Sequence, residues 1–409
     1  MVVYGGVEHD GRVRRAAATL GEAGHDVTIG CLAGVDSADG ELGLAQPQTT
    51  LDGARIVAVP VAVVGARLPG SSRAPTTGGA RSAFDRIGQA VWLIGYGRAL
   101  QSWRAGLLAR LEPADVWYGH DLFGVWAAAA LQHRHGGRLV YDSHELFMEA
   151  GTAAALPSPA RRRLAGAERR LARQADAVIT VNPAIAAELA RRYGVAPSVV
   201  MNVPRGWRLP TRDRLREALP IGDRLVVLYH GAVSPGRGVE QLVETSLLLP
   251  PQRAVVVLGD GPLSDEVTSL AMRPPHRGRL YIHPSVQLEE LPDWVGHADA
   301  GVIAFQATPR NNFLGTPNKL FDYLVAGVPV VVSDFPEMRR LVEQVDGGVT
   351  CDPADSRSIA TGLDQLLDPP AAARAASRSR LATVAGTRYG WAAQAEVLLD
   401  VIGRVVSRR

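Results

Sequence analysis

The chain of 409 residues is poor in the features that mark several protein classes. It has 2 cysteines, Cys31 and Cys351, each in an apolar, strand-like setting. Two thiols supply neither a disulfide framework nor a zinc site, and they read as buried thiols of a reducing compartment. No apolar run approaches the roughly 18 residues that a membrane span needs. The N-terminus carries Glu8, His9 and Asp10 where a signal peptide would be apolar. The net charge of +3 is small for this length, which argues against nucleic acid as the main partner. No internal repeat has a solenoid period. These absences leave a cytoplasmic globular protein. Hydrophobic content of 46% and charged content of 21% agree with that class, and the length suits two domains.

What is present is repeated alternation of short apolar strands with amphipathic helices. Val2 to Tyr4 is a short apolar run followed by Gly5-Gly6. Asp10 caps a helix in which Val13, Ala17 and Leu20 share a face, and Val27 to Cys31 is the next strand. This order opens a Rossmann-like unit, though it lacks a full GxGxxG. The first strand is short enough to place the true start upstream of Met1. Residues 38–80 are rich in Gly, Pro, Ser and Thr and read mostly as loop, with a strand over Val57 to Val64. Residues 81–111 read as an apolar, aromatic helix pair with Phe84, Ile87, Val91, Trp92, Leu107 and Leu108 among arginines. Two readings stay open for the pair, a core stripe or a surface facing an acceptor or a membrane. The arginine-rich helix around Arg161 to Arg173 is a solvated face or a meeting point for anionic lipid.

Two strands end in polar groups. Val116-Trp117-Tyr118 runs into Gly119-His120-Asp121, and Leu139-Val140-Tyr141 into Asp142-Ser143-His144-Glu145. Open α/β sheets bind ligands at such strand ends. The second half opens with a strand, Leu225 to Tyr229, leading into a Gly-rich loop, His230 to Gly238, that carries Arg237 ahead of a helix. A guanidinium at a helix N-terminus suits a diphosphate, because it stays charged and binds bidentately. Val255 to Leu258 runs into Gly259-Asp260-Gly261-Pro262, and Leu280 to His283 into Pro284-Ser285-Val286.

The most informative stretch is Asn311 to Asp334, NNFLGTPNKLFDYLVAGVPVVVSD. It predicts a polar loop, a helix with Thr316 as N-cap and Pro317 as first residue, a left-handed stop at Gly327, and a buried strand at Val330 to Val332. Lys319 and Asp322 lie three apart on one face. With the free amides of the helix start they suit a phosphate and a sugar hydroxyl, or they form a solvated ion pair.

PNKLFDYLVAGVPVVVSD resembles the donor-site signature of the family 4 retaining glycosyltransferases, glycosyl transferases group 1. The resemblance covers roughly residues 2 to 405. It implies an α/β fold of two Rossmann-like parallel-sheet domains facing across a cleft, the GT-B fold. The domains would be residues 1–204 on the acceptor side and 205–385 on the donor side, with a helix in 386–409 crossing back to the first. It implies transfer of a sugar from a nucleotide-diphosphate sugar to an acceptor hydroxyl with retention, no required cofactor and no metal. His144 and His120 match the strand-end positions that act at the sugar and nearer the acceptor. Arg237, Lys319, Gly5, Gly6, Gly315 and Thr316 match the diphosphate site, and Asp322 the contact to a ribose or sugar hydroxyl. Gly259, Gly261, Pro262, Ser285 and Val286 match the base pocket. Of the family's two glutamates eight apart, the second falls on Asp322 and the first on Leu314. Ala232 stands where many members have a first basic residue ahead of Arg237. The implied partners are the nucleotide sugar and an acceptor that is a glycan, a lipid-linked sugar or a small molecule, with peripheral contact at the inner membrane face through the basic aromatic helices. Two other readings stay open, an epimerase or phosphorylase on the same fold, and a non-catalytic nucleotide-sugar-binding subunit.

Overall fold

The computed structural model describes residues 1–8, 10–33, 50–61, 83–154 and 156–407. Two compact units emerge. The first comprises Met1–Val181, Ile185–Met201 and Ala395–Arg409, and the second Asn182–Ala184 and Asn202–Gln394.

The first unit is built on strands β1 (Thr28–Leu32), β2 (Thr50–Leu51), β3 (Ala54–Val59), β4 (Val116–His120), β5 (Arg138–Ser143), β6 (Ala177–Thr180) and β7 (Ser198–Val199). They form two groups, ordered β1-β3-β2 and β4-β5-β6-β7. All pairs are parallel except β2 with β3. Val2 joins the groups, bridging Gly30 on β1 and Gly119 on β4 in parallel. The short first run is thus a central rung, and it contributes a bridge without becoming a full strand. Its backbone is satisfied on both sides: Val2 N donates to Tyr118 O at 2.7 Å and Val3 N to Gly30 O at 3.0 Å. The continuous apolar runs of β4 to β6 are buried on both faces, as parallel strands covered by helices require.

The expected helix pair over 81–111 is one helix, Ala83–Arg110. Gly95, Gly97 and Gly106 weaken it by about 1 kcal/mol each relative to alanine, but none of them breaks it. Packing holds the C-terminal part in place, since Trp103 and Leu107 are fully buried. That part is therefore a core stripe. The side chains of Phe84, Ile87, Val91 and Trp92 lie outside the described residues, as does most of the loop read over 38–80. The expected strand over Val57 to Val64 is β3, which ends at Val59. The expected strand at Val199 to Val203 is β7, which ends where Val200 N bonds Thr180 O.

The second unit is one six-stranded parallel sheet. Its strands are β8 (Leu225–His230), β9 (Arg253–Leu258), β10 (Leu280–His283), β11 (Ala300–Ile303), β12 (Val330–Ser333) and β13 (Gly348–Cys351). Their order is β10-β9-β8-β11-β12-β13. From β8 the chain first builds outward through β9 and β10, then returns to β11 and builds the other way. The ends of β8 and β11 therefore flank the topological switch point, where open α/β sheets bind ligands. A buried core of Val227, Val239, Leu242, Val257, Val302, Ile359 and Leu363 lies between this sheet and its helices.

The helix expected from Pro317 is Asn318–Val325, one residue later than predicted, with Pro317 at the N-cap. Pro317 has extended backbone there, so Thr316 is outside the helix. The Thr316 hydroxyl accepts from Asn182 Nδ2 at 3.0 Å instead of capping. The stretch read as a polar loop contains a short helix, Arg310–Leu314. Gly327 follows the helix at φ +70°, and Val328 N returns to Tyr323 O, which closes the end as predicted. An 18-residue helix, Ala371–Arg388, has no counterpart in the sequence reading.

Candidate functional site

In the second unit the chain leaves β8 through Gly231, at φ +105°, and enters the helix Val239–Leu248 through Gly238, at φ +79°. A Cβ on Gly238 would stand 2.2 Å from Ala304 O, so only glycine lets the loop pack against the end of β11. This close approach brings Arg237 over Phe305, with its guanidinium carbon 4.5 Å from the ring centroid. Lys319, in the first turn of Asn318–Val325, points its ammonium at Tyr229, 3.7 Å from the ring centroid. A Cβ on Gly231 would come within 3.3 Å of that ammonium. Both cations are thus held on aromatic faces. Neither side chain makes a hydrogen bond or ion pair with any described residue.

Burial pushes the Lys319 amine well below its ordinary 10.5, and the nearby charge of Arg237 pushes it further, against a weaker pull from Asp322. Such an arrangement is costly for a protein alone and favourable once an anion arrives. Lys319 is also the chain's only lysine, among 44 Lys and Arg residues. Asp322 stands 3.8 Å from Nε2 of His230, which is buried and has no hydrogen-bond partner among the described residues. The solvated Lys319–Asp322 pair does not form: the lysine is buried and faces a ring.

Gly315 and Thr316 lie just ahead of the same helix. Gly259, Gly261 and Pro262 follow β9, and Ser285 and Val286 follow β10, on neighbouring strands of the sheet. Asp260 ties the two loops together by accepting from Ser285 N at 2.8 Å and from its hydroxyl. Those bonds hold the Asp260 carboxyl below its ordinary 3.8. Ser285 and Val286 also line a cavity of about 570 Å³ with His283, Gln287 and Trp294.

In the first unit the ends of β4 and β5 carry a buried polar cluster. Arg12 binds Asp142 bidentately, through Nε at 2.9 Å and Nη2 at 2.7 Å, and donates to Val200 O at 2.8 Å. The Tyr118 hydroxyl donates to Asp142 at 2.9 Å. Burial alone would raise the Asp142 carboxyl, but the Arg12 charge and hydrogen bonds outweigh it and hold it well below 3.8. His120 Nδ1 lies 3.0 Å from His144 Nε2 and 3.5 Å from Asp142 Oδ2. Burial keeps His120 well below 6.5, hence neutral. Its Nε2 is buried without a partner among the described residues. Asp121 accepts from His144 N at 2.9 Å, and its other oxygen is 3.4 Å from His144 Nδ1. His144 is the one partly exposed member of the pair, its side chain 19% accessible. Gly5 and Gly6 lie after the central rung, and a Cβ at either would meet nothing within 4 Å.

His120, Asp142 and His144 are close enough to hold a metal ion. The donor set does not fit one. Asp142 is neutralised by Arg12, whose charge would repel a cation, and the two imidazoles are hydrogen-bonded to each other.

Sequence reasoning singled out His120, His144, Arg237, Lys319 and Asp322, and the structure groups the last three with His230, Tyr229 and Phe305. It did not single out Arg12, Tyr118 and Asp121, which pack and hydrogen-bond around His120 and His144. One signal existed: Arg12 is in helical register with Ala16 and Thr19, both buried, so an arginine sits on an apolar face. The rings under the cations carried no signal, since Tyr229 and Phe305 read as ordinary strand residues.

Two α/β units built on largely parallel sheets, with polar groups at strand ends, have the architecture of the GT-B fold. The chain belongs to the glycosyl transferases group 1. That family's model matches residues 224–369, and a glycosyl transferase 4-like domain matches residues 9–206. It is 30% identical over 344 residues to a D-inositol 3-phosphate glycosyltransferase of Xylanimonas cellulosilytica, across 76% of this chain and 78% of that one. It is 28% identical over 281 residues to a GDP-mannose-dependent alpha-(1-6)-phosphatidylinositol monomannoside mannosyltransferase of Mycolicibacterium smegmatis, across 63% of this chain and 70% of that one. Among solved structures it resembles sucrose-phosphate synthase of Thermosynechococcus elongatus at TM-score 0.71 and 16% identity, covering 100% of this chain and 99% of that one. It resembles Anabaena HepE, solved with UDP and glucose, at TM-score 0.68 and 16% identity, covering 98% and 99%. The chain is thus a glycosyltransferase with the GT-B fold. Among the described residues, no helix is long and apolar enough to cross a membrane.

Proposed function

We propose that this glycosyltransferase takes its sugar from a nucleotide-diphosphate sugar and transfers it to an acceptor hydroxyl with retention of configuration. The observation that carries the donor reading is the pair Arg237 and Lys319. Two basic side chains rest on aromatic faces at a topological switch point, and among the described residues no carboxylate lies within ion-pair distance of them. A diphosphate supplies the missing negative charge, with the amides ahead of Val239–Leu248 and Asn318–Val325, near Gly315 and Thr316, as further donors. These groups stabilise the leaving diphosphate electrostatically, so no metal is required. Asp322 takes a hydroxyl of the ribose or sugar. The base lies against Gly259, Gly261, Pro262, Ser285 and Val286. Gly5 and Gly6 let a phosphate approach the backbone of the first unit, and His144 and His120 serve the sugar in transfer. The names of relatives and neighbours agree: one is GDP-mannose-dependent and another was solved with UDP-glucose.

Calorimetry with nucleoside diphosphates tests the donor site. Arg237→Ala is expected to weaken binding at least about tenfold, the loss of one charge-assisted contact. Unchanged affinity in Arg237→Ala would remove the diphosphate from this site. Proton NMR of the fresh product gives the anomeric configuration, and an inverted product would overturn retention.

A further inference from the structure

The geometry points to His120 and Asp121 as positioning residues that fix His144 as a neutral imidazole with its proton on Nδ1, so that His144 acts as a hydrogen-bond donor and not as a base. This rests on the assignment of His144 to the sugar in transfer.

Two ring nitrogens 3.0 Å apart need one proton between them, so one donates and the other accepts. Suppose His144 Nε2 were the donor. His120 would then accept on Nδ1, with that lone pair also facing Asp142 Oδ2 at 3.5 Å, which is repulsive. The His120 proton would sit on Nε2, a buried N–H without a partner among the described residues. Orphaned buried donors are rarer and costlier than orphaned acceptors. A neutral His144 would also turn a bare Nδ1 toward the Asp121 carboxylate. Suppose instead His120 Nδ1 donates. Its proton then faces both His144 Nε2 and Asp142 Oδ2, the orphan becomes an acceptor, and His144 carries its proton on Nδ1 toward Asp121. The bare His144 Nε2 is then 3.8 Å from Asp142 Oδ2, farther than the 3.5 Å at which the His120 proton meets that oxygen, so the attractive contact is the closer one. A charged His144 would meet the same geometric cost as the first case, because it forces the His120 proton onto the buried, unpartnered Nε2.

Asp121 is built for this task at some cost. It sits at φ +53°, in the left-handed region that strains a residue bearing a side chain. The strain aims one oxygen at His144 N, 2.9 Å away, and the other at His144 Nδ1. His144 is thereby held at its backbone and at its ring. With Nε2 taken by the His120 N–H, what the ring has to offer a sugar hydroxyl is the Nδ1–H, shared with Asp121 at 3.4 Å. The lone pair that a base would need is already taken.

The test is long-range proton–nitrogen NMR on the full chain labelled with 15N-histidine, which distinguishes the two neutral tautomers directly. The signals are assigned by their loss in His120→Gln and His144→Gln. Both rings are expected in the Nδ1–H form at neutral pH. In Asp121→Asn the amide nitrogen can face Nδ1, so the Nε2–H form of His144 should appear. Turnover should fall at least about tenfold while nucleoside diphosphate affinity stays unchanged. Asp121→Gly relieves the backbone strain and removes the carboxylate, so it should keep or raise the melting temperature and still lose turnover. An Nε2–H signal from either ring in the unaltered protein overturns the proposal, and so does full turnover in Asp121→Gly. The tautomers are read without substrate, so a failed assignment of His144 to the sugar would show as correct tautomers with turnover indifferent to His144→Ala.

Discussion

Lys319 offers the sharpest test, because its amine takes up a proton on donor binding wherever the pH lies above its lowered free value. In the free protein, burial and Arg237 hold its amine well below 10.5. A bound diphosphate reverses that field and raises it again. The sign follows from the two states. Below the free value the lysine is already charged, and donor affinity is at its plateau. Above that value each binding event must take up a proton, and affinity falls by about tenfold per pH unit, or about 1.4 kcal/mol. The fall ends near the raised, bound value. Calorimetry in buffers of different ionisation enthalpy counts the protons, and about one is expected inside the window. An intact nucleotide-diphosphate sugar is the right titrant, since its bridging phosphates have no proton to lose there. The uniqueness of Lys319 allows a second readout, because selective 13C-lysine labelling gives a single side-chain signal whose titration needs no assignment. Lys319→Met keeps the length of the side chain and should abolish proton uptake, with affinity at neutral pH reduced about tenfold or more. Zero net proton uptake across the whole pH range, or uptake that survives Lys319→Met, would refute this account of the site.

Asp322→Asn preserves shape and removes charge, so donor affinity should drop while the melting temperature holds; indifference of binding would make Asp322 structural. His144→Ala should bind nucleoside diphosphate normally and lose most of its transfer activity, and normal turnover would remove it from the reaction. Arg12→Met leaves Asp142 buried without its counter-ion, at an expected cost of about 3–5 kcal/mol in denaturant unfolding. A loss under about 1 kcal/mol there would mean the pair contributes little. Because Arg12 holds Asp142 below 3.8, the pair's contribution is present above that pH and is lost as pH falls through the depressed value. Arg12→Met should therefore narrow its stability gap to the unaltered protein in strong acid, and a gap constant with pH would contradict the assignment.

Much of the fold was legible because the signals are local. The strand at Val330 to Val332 is an unbroken β-branched run, and Gly327 ends the helix before it at a backbone angle that glycine adopts freely. The start of that helix was misplaced by one residue. Thr316 has the chemistry of a cap, but its hydroxyl went to Asn182, a partner 134 positions away. The residues expected as a helix pair form one helix at 83–110, and burial of Trp103 and Leu107 holds its C-terminal part despite its glycines.

The sequence by itself determined the class of protein: two runs of strand–helix alternation, a Gly-rich loop with Arg237, and the segment from Pro317 to Asp334. Spacing along the chain is enough for these, since caps, turns and buried runs act over a few residues. Only the tertiary structure decided the state of the functional groups. It seated Lys319 on Tyr229, 90 positions earlier in the chain, and Arg237 on Phe305, with no ion-paired carboxylate among the described residues. It joined Arg12 to Asp142 across 130 positions and set His120 against His144. Charge and proton position depend on what surrounds a group in space. Burial and field come from residues distant in the chain, and no local pattern records them.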